Sequence, residues 1–258
     1  HSGVDGGAID EPMNDVVALL ASLRGEKGDV LVPGLTAGVR EDDAGEESRR
    51  EQVHFAVDRY RDAIGVARVV SDRSSEVLRV RWSKPCISVS SIESTNKARV
   101  FRKIPNAVVG RLSLHYVPDQ DGQELEEVLK AHLAAVFAAR GSSNRLRVLV
   151  KQTSTWWMGD LKEPIFCLAR RALRQVWGEE PQLVREGGSY GGVTSFLEDT
   201  LRAPAVHLPL GQASDAAHLP NERIRVHNLV GCPPVAPCTV NAQVSQRPCS
   251  FTATTNVC

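Results

Sequence analysis

Between Ala107 and Lys151, two short alternating apolar runs flank one long amphipathic helix, and that arrangement leaves few folds open. Ala107–Val117 (AVVGRLSLHYV) and Arg145–Lys151 (RLRVLVK) alternate as half-buried strands do, while Asp121–Arg140 carries helical spacing and is closed by Gly141. Strands must pair and a helix must lay its apolar stripe on something, so these three elements predict a sheet with a helix against one face. Pro85–Ile92 (PCISVSSI) adds a strand, and Glu11–Arg24 (EPMNDVVALLASLR) adds a helix with Pro12 in its first turn and Gly25 after its end. Glu41–Ile64 reads as one further helix, and Asp29–Val39, broken by Pro33-Gly34, as a loop or strand remnant. The expectation for residues 1–153 is an α+β unit. It has a four-stranded, mainly antiparallel sheet, with Glu11–Arg24 and Asp121–Arg140 on one face.

After Trp156-Trp157 the pattern changes. Pro164–Trp177 is a helix with Ile165, Leu168, Ala172 and Val176 on one stripe, and Val193–Leu201 is a shorter one behind the Gly187-Gly188-Ser189 loop. Pro204–Leu210 (PAVHLPL) reads as a buried strand, and Pro220–Leu229 begins another helix. A lone parallel-type strand cannot satisfy its backbone groups or cover both faces. Residues 154–230 therefore read as an incomplete α/β segment whose other strands are expected from ahead of His1. From residue 231 periodicity is lost. Four of the six cysteines, Cys232, Cys238, Cys249 and Cys258, fall in this stretch without a C-x-x-C pair, and residues 231–258 are expected to be an irregular tail. Cys86 and Cys167 stand singly in apolar contexts and read as buried thiols.

The charge balance narrows the function. Thirty-one basic and 31 acidic residues cancel, so no broad field gathers phosphate, and nucleic acid is a poor partner. No apolar run approaches the roughly 20 residues that span a bilayer, which argues against a membrane protein. The opening His1-Ser2-Gly3 carries no charged-then-apolar leader, and the sparse cysteines ahead of the tail suit a reducing, cytoplasmic setting.

Four places could carry chemistry. His218, in Asp215-Ala216-Ala217-His218, follows the expected strand 204–210, where α/β proteins put ligand and metal residues; a surface-loop histidine is the plainer alternative. Gly187, Gly188 and Ser189 could present backbone N–H groups to an anion, although many loops contain such a run. His115 sits in an alternating strand, where a sheet histidine is the default. His1 is uninformative by itself.

Together they form a series. His1-Ser2-Gly3-Val4 with Gly6-Gly7 comes first, then Ile104-Pro105 and Val108-Val109-Gly110-Arg111-Leu112-Ser113. Arg185-Glu186-Gly187-Gly188-Ser189 follows, and then His218 with Asn221-Glu222. In order and separation, across residues 1 to about 230, this series resembles the carnosinases and cytosolic non-specific (Cys-Gly) dipeptidases of the aminoacylase-like clan of metallopeptidases. The resemblance implies a homodimeric, two-domain subunit that hydrolyses dipeptides with water activated by two zinc or manganese ions. Residues 1–153 would be the lid and dimerisation domain, and 154–230 the chain's return to the catalytic domain. His218 would be a metal ligand, and His1 would reach the partner subunit's site to stabilise the oxyanion. Gly187, Gly188 and Ser189 would hold the substrate carboxylate, and His115 stands where the family carries an Arg that grips the same group. The family's other metal ligands and its general base belong ahead of the His-Ser-Gly motif, so this chain alone is expected to be an inactive fragment. Ser189-Tyr190-Gly191-Gly192-Val193 is one residue longer than the family's Ser-Ile-Pro-Val, and Phe101-Arg102-Lys103 looks inserted. The rival reading is a non-catalytic dimerisation module or a degenerate gene product.

Overall fold

A computed structural model of the chain describes residues 1–26, 28–94, 102–185, 191–216, 219–231 and 250–256. The chain opens with a single turn, α1 (Ser2–Asp5), and then α2 (Pro12–Ala21) with Pro12 at its first position. Helices α3 (Ala44–Glu51), α4 (Val57–Ile64) and α5 (Ser74–Ser83) follow. Strands β1 (Cys86–Ser94) and β2 (Ala107–His115) lead to α6 (Gly122–Arg140) and β3 (Arg145–Val150). The remainder holds α7 (Pro164–Trp177), α8 (Gly191–Leu201), α9 (Val226–Gly231) and, far down the chain, β4 (Ser250–Asn256).

The four strands form one antiparallel sheet in the order β1-β2-β4-β3. Helices α2 and α6 pack on it and on each other. Leu19, Leu23, Leu129, Leu133 and Leu112 are fully buried between them, and Val108, Ile87 and Leu114 complete the same core. Each such side chain contributes on the order of 1.5–3 kcal/mol by leaving water, so this layer dominates the stability of the unit. α6 starts where Asp121 accepts hydrogen bonds from the backbone N–H of Gln123 and Glu124 at 2.7 and 3.0 Å, and it stops at Gly141, whose φ of 62° suits glycine.

Gly110 sets how closely α2 lies on β2. A Cβ there would stand 2.9 Å from Val16 Cγ1 and 3.0 Å from Leu20 Cδ1, both on a helix held by its own packing. Gly110→Ala should therefore cost about 1–3 kcal/mol through overpacking. Thermal unfolding of the variant checks this, and an unchanged midpoint would mean that α2 has room to lift.

Several expectations need correction. The expected helix over Glu41–Ile64 is two helices. Between them the backbone N–H of His54 donates to Gln182 Oε1 and the Gln182 side chain donates to the carbonyl of Gln52, so a distant residue takes groups that a helix would use internally. Pro204–Leu210 is not a strand. Ala205 and Val206 are buried, but the Ala205 N–H donates to Glu198 Oε1 at 2.7 Å and the Leu210 carbonyl accepts from Asn228 Nδ2 at 2.9 Å, with Pro204 and Pro209 offering no donors. The helix expected from Pro220 begins only at Val226. The tail is not wholly irregular, because Ser250–Asn256 is a central strand of the sheet. The fourth strand of the sheet thus comes from the tail rather than from residues 1–153. Cys86 and Cys167 are exposed residues rather than buried ones, although burial still pushes the Cys86 thiol up.

Candidate functional site

His1 caps α1. Its Nδ1 accepts from the Gly3 N–H at 3.1 Å, which leaves Nε2 to carry the ring proton of the neutral imidazole. The Ser2 N–H donates to the Arg102 carbonyl at 2.8 Å and ties this turn to the approach to β2. His115 ends β2, paired with Cys86 across the ladder. By strand alternation it shares with Val109, Arg111 and Ser113 the sheet face opposite the helix-packed row of Val108, Gly110, Leu112 and Leu114. Burial pushes the His115 pKa below the ordinary imidazole value, so the ring is neutral at pH 7.

The other candidates, Gly187, Gly188, Ser189 and His218, lie outside the described residues, but the chain on either side of them is described. Arg185 leads into the glycine loop. Its Nη1 donates to Glu46 on α3 and its Nη2 to the Met158 sulfur, fastening the loop's entry to the first half of the chain. Gln182, three residues earlier, makes the two bonds to Gln52 and His54 described above. The His218 loop is gripped by its ends: the Arg223 N–H donates to the Asp215 carbonyl at 3.0 Å, and Arg223 Nη2 donates to the Ser214 carbonyl at 3.0 Å. Asp215, only 5% exposed, caps a 3-10 turn (Ala213–Asp215) through Oδ2, which accepts from the Gln212 N–H at 2.8 Å.

Two buried polar atoms beside these loops have no hydrogen-bond partner among the described residues, Nε of Arg185 and Oδ1 of Asp215. Such atoms are costly to leave unmade, and they concentrate where a ligand, a water or a further protein group completes the site. Their signal in the sequence was only their adjacency to the two motifs. Among the described residues no three His, Cys, Asp or Glu side chains converge as a metal site. A catalytic zinc takes about three protein ligands, so the described residues do not by themselves fit a metal ion. No described helix is long and apolar enough to cross a membrane.

No family model matches the chain. It is 32% identical over 232 residues to the Cys-Gly metallodipeptidase of Saccharomyces cerevisiae, covering 90% of this chain and 48% of that protein. It is 31% identical over 231 residues to the human Beta-Ala-His dipeptidase, covering 89% of this chain and 45% of that one. A solved dipeptidase structure from Saccharomyces cerevisiae superposes with a TM-score of 0.83 at 31% identity, over 91% of this chain and 49% of its own. The chain spans about half the length of the relatives it matches.

Proposed function

We infer from this chain, a homologue of the Cys-Gly and Beta-Ala-His dipeptidases over nine-tenths of its length, that it works as the lid and C-terminal segment of a metal-dependent dipeptidase. The shared fold, with 31% identity over an alignment that covers 91% of the chain, carries this reading. In it residues 1–153 are the lid and dimerisation domain, and 154–230 are part of the catalytic domain. The orphaned polar atoms of Arg185 and Asp215 support it, since each flanks a loop assigned to substrate or metal. So does the apolar surface of residues 154–230. Leu168, Trp177, Phe196, Leu201, Val226 and Leu229 are each more than 40% exposed, which a finished domain would cover.

The chain's own contributions follow from its side chains. Gly187, Gly188 and Ser189 bind the substrate carboxylate through backbone N–H and hydroxyl donors. His1 offers Nε2–H to the oxyanion in the partner subunit's site. His218 gives one metal donor, and the remaining ligands of two zinc or manganese ions come from residues outside this chain. Homodimerisation proceeds through the lid, whose edge strand β1 is largely exposed.

Purified alone, the chain should bind zinc weakly and leave Cys-Gly intact. Hydrolysis should appear when a polypeptide carrying the first half of a Cys-Gly metallodipeptidase is added. A nanomolar zinc site in calorimetry, or turnover by the chain alone above a His218→Ala control, would overturn the assignment. Failure of the mixture to hydrolyse, with both halves folded and associated, would favour the non-catalytic module.

A further inference from the structure

Glu46 and Arg50 stand one turn apart on the inward face of α3, with side chains only 12% and 4% exposed. A Glu and an Arg at this spacing are placed to pair with each other. Here they do not. Arg50 Nη2 donates to Asp42 Oδ2 at 2.7 Å, and Glu46 accepts instead from Arg185, 139 residues further along the chain.

The chain leading to Arg185 is held at a second point. Gln182 donates through Nε2 to the Gln52 carbonyl at 3.0 Å and accepts at Oε1 from the His54 N–H at 3.2 Å, just past the end of α3. The helix rises about 9 Å from Glu46 to Gln52, and three steps of extended chain, enough to join Gln182 to Arg185, span about 10 Å. The segment can therefore lie along α3 in the opposite direction, with its two anchors spaced as the helix spaces theirs. The chain ahead of α3 is anchored as well. Arg40 donates through Nε and Nη2 to the two carboxylate oxygens of Asp119 at 2.6 and 3.1 Å, and Asp119 stands four residues beyond His115. One short helix thus ties the approach to the glycine loop to the turn after β2.

We propose that Glu46 is a positioning residue. Through Arg185 it fixes the point from which the chain enters Gly187-Gly188-Ser189, and α3 sets how far that point lies from the end of β2. This role depends on the carboxylate binding assigned above to those residues. It needs the charge at position 46, because a carboxylate gives the guanidinium a strong, directional partner and a neutral amide does not.

Trypsin acting on the full chain reads this directly, since it must draw an arginine side chain into its own acidic pocket before it cuts. Arg185 engaged by Glu46 is withheld from it. Glu46→Gln should speed cleavage of the Arg185–Glu186 bond by about tenfold or more, and Gln182→Ala should act in the same direction. Cleavage after Arg202, an exposed residue outside these contacts, should not change, and Glu46→Asp should keep most of the protection. Equal rates at Arg185 in the original chain and in Glu46→Gln would overturn the proposal. So would a rise shared by Arg202, which a general loss of stability produces. In the mixture with the first half of a Cys-Gly metallodipeptidase, Glu46→Gln should raise KM about tenfold and leave kcat unchanged, because the carboxylate is held alike in ground and transition states. An unchanged KM beside faster cleavage at Arg185 would show that the loop's entry point does not matter to substrate, and the positioning role would fall. A mixture in which even the original chain hydrolyses nothing would remove the dipeptidase reading, while the cleavage rates would still decide whether Glu46 holds Arg185 in place.

Discussion

In a dipeptidase rebuilt around this chain, His115→Arg should lower KM for a dipeptide about ten- to a hundredfold at pH 7.5. A guanidinium holds a carboxylate through paired charge-assisted hydrogen bonds at any working pH, worth roughly 1.5–3 kcal/mol. His115 offers no such charge. Burial holds its pKa below 6.5, so the ring is neutral where the enzyme would work. The gain should fall on KM rather than kcat, because the carboxylate is gripped alike in ground and transition states. It should also shrink as pH falls, since acid charges the original imidazole and leaves Arg unchanged. A KM that does not respond to the substitution from pH 6 to 8 would mean that residue 115 never meets substrate. The same depressed pKa has a consequence for stability. Below the unfolded value of about 6.5 the unfolded chain binds the proton more readily than the folded one, so stability is full above that pH and declines as pH falls through it. A His115→Gln variant should lose less stability between pH 7 and pH 5.

Asp15→Ala should strongly destabilise the α+β unit that α2 and α6 form with the sheet. Asp15 is 2% exposed and accepts from Arg140 Nε at 2.9 Å, Ser142 Oγ at 2.7 Å and Asn144 Nδ2 at 2.7 Å. It thereby ties α2 to the end of α6 and to the entry of β3. Truncation leaves the buried Asn144 amide without this acceptor and removes the charge opposite Arg140. Arg140 is one-third exposed and can rehydrate, which holds the loss to about 3 kcal/mol, below the upper range for a fully buried pair. That corresponds to a fall in Tm of roughly 6–12 °C for a unit of this size. Asp15→Asn, which keeps an acceptor for Ser142, should lose about half as much. A fall of less than about 2 °C for the Ala variant would show that the network contributes little beyond packing.

Local signals were enough for the elements whose own residues decide their state. α6 carries its cap at Asp121, its stripe of Leu125, Leu129 and Leu133, and its stop at Gly141, and α7 runs over Pro164–Trp177 as its spacing requires. β2 and β3 alternate because one face meets helices and the other does not. Motif order was likewise sufficient to point at the dipeptidases, since glycine runs and lone histidines at fixed separations survive in the chain whatever its packing.

What the tertiary structure alone decided was every choice between partners. Ser250–Asn256 (SFTATTN) offers β-branched residues but no apolar alternation, and becomes a strand only because β2 and β3 present unpaired backbone on either side. Gln52–His54 leaves the helix because Gln182, more than a hundred residues away, takes its backbone groups, and Pro204–Leu210 stays out of the sheet because no described strand lies beside it. The orphaned atoms of Arg185 and Asp215 were invisible for the same reason. Periodicity records which face of an element is buried, whereas the identity of the group that meets it is set by contacts distant in sequence.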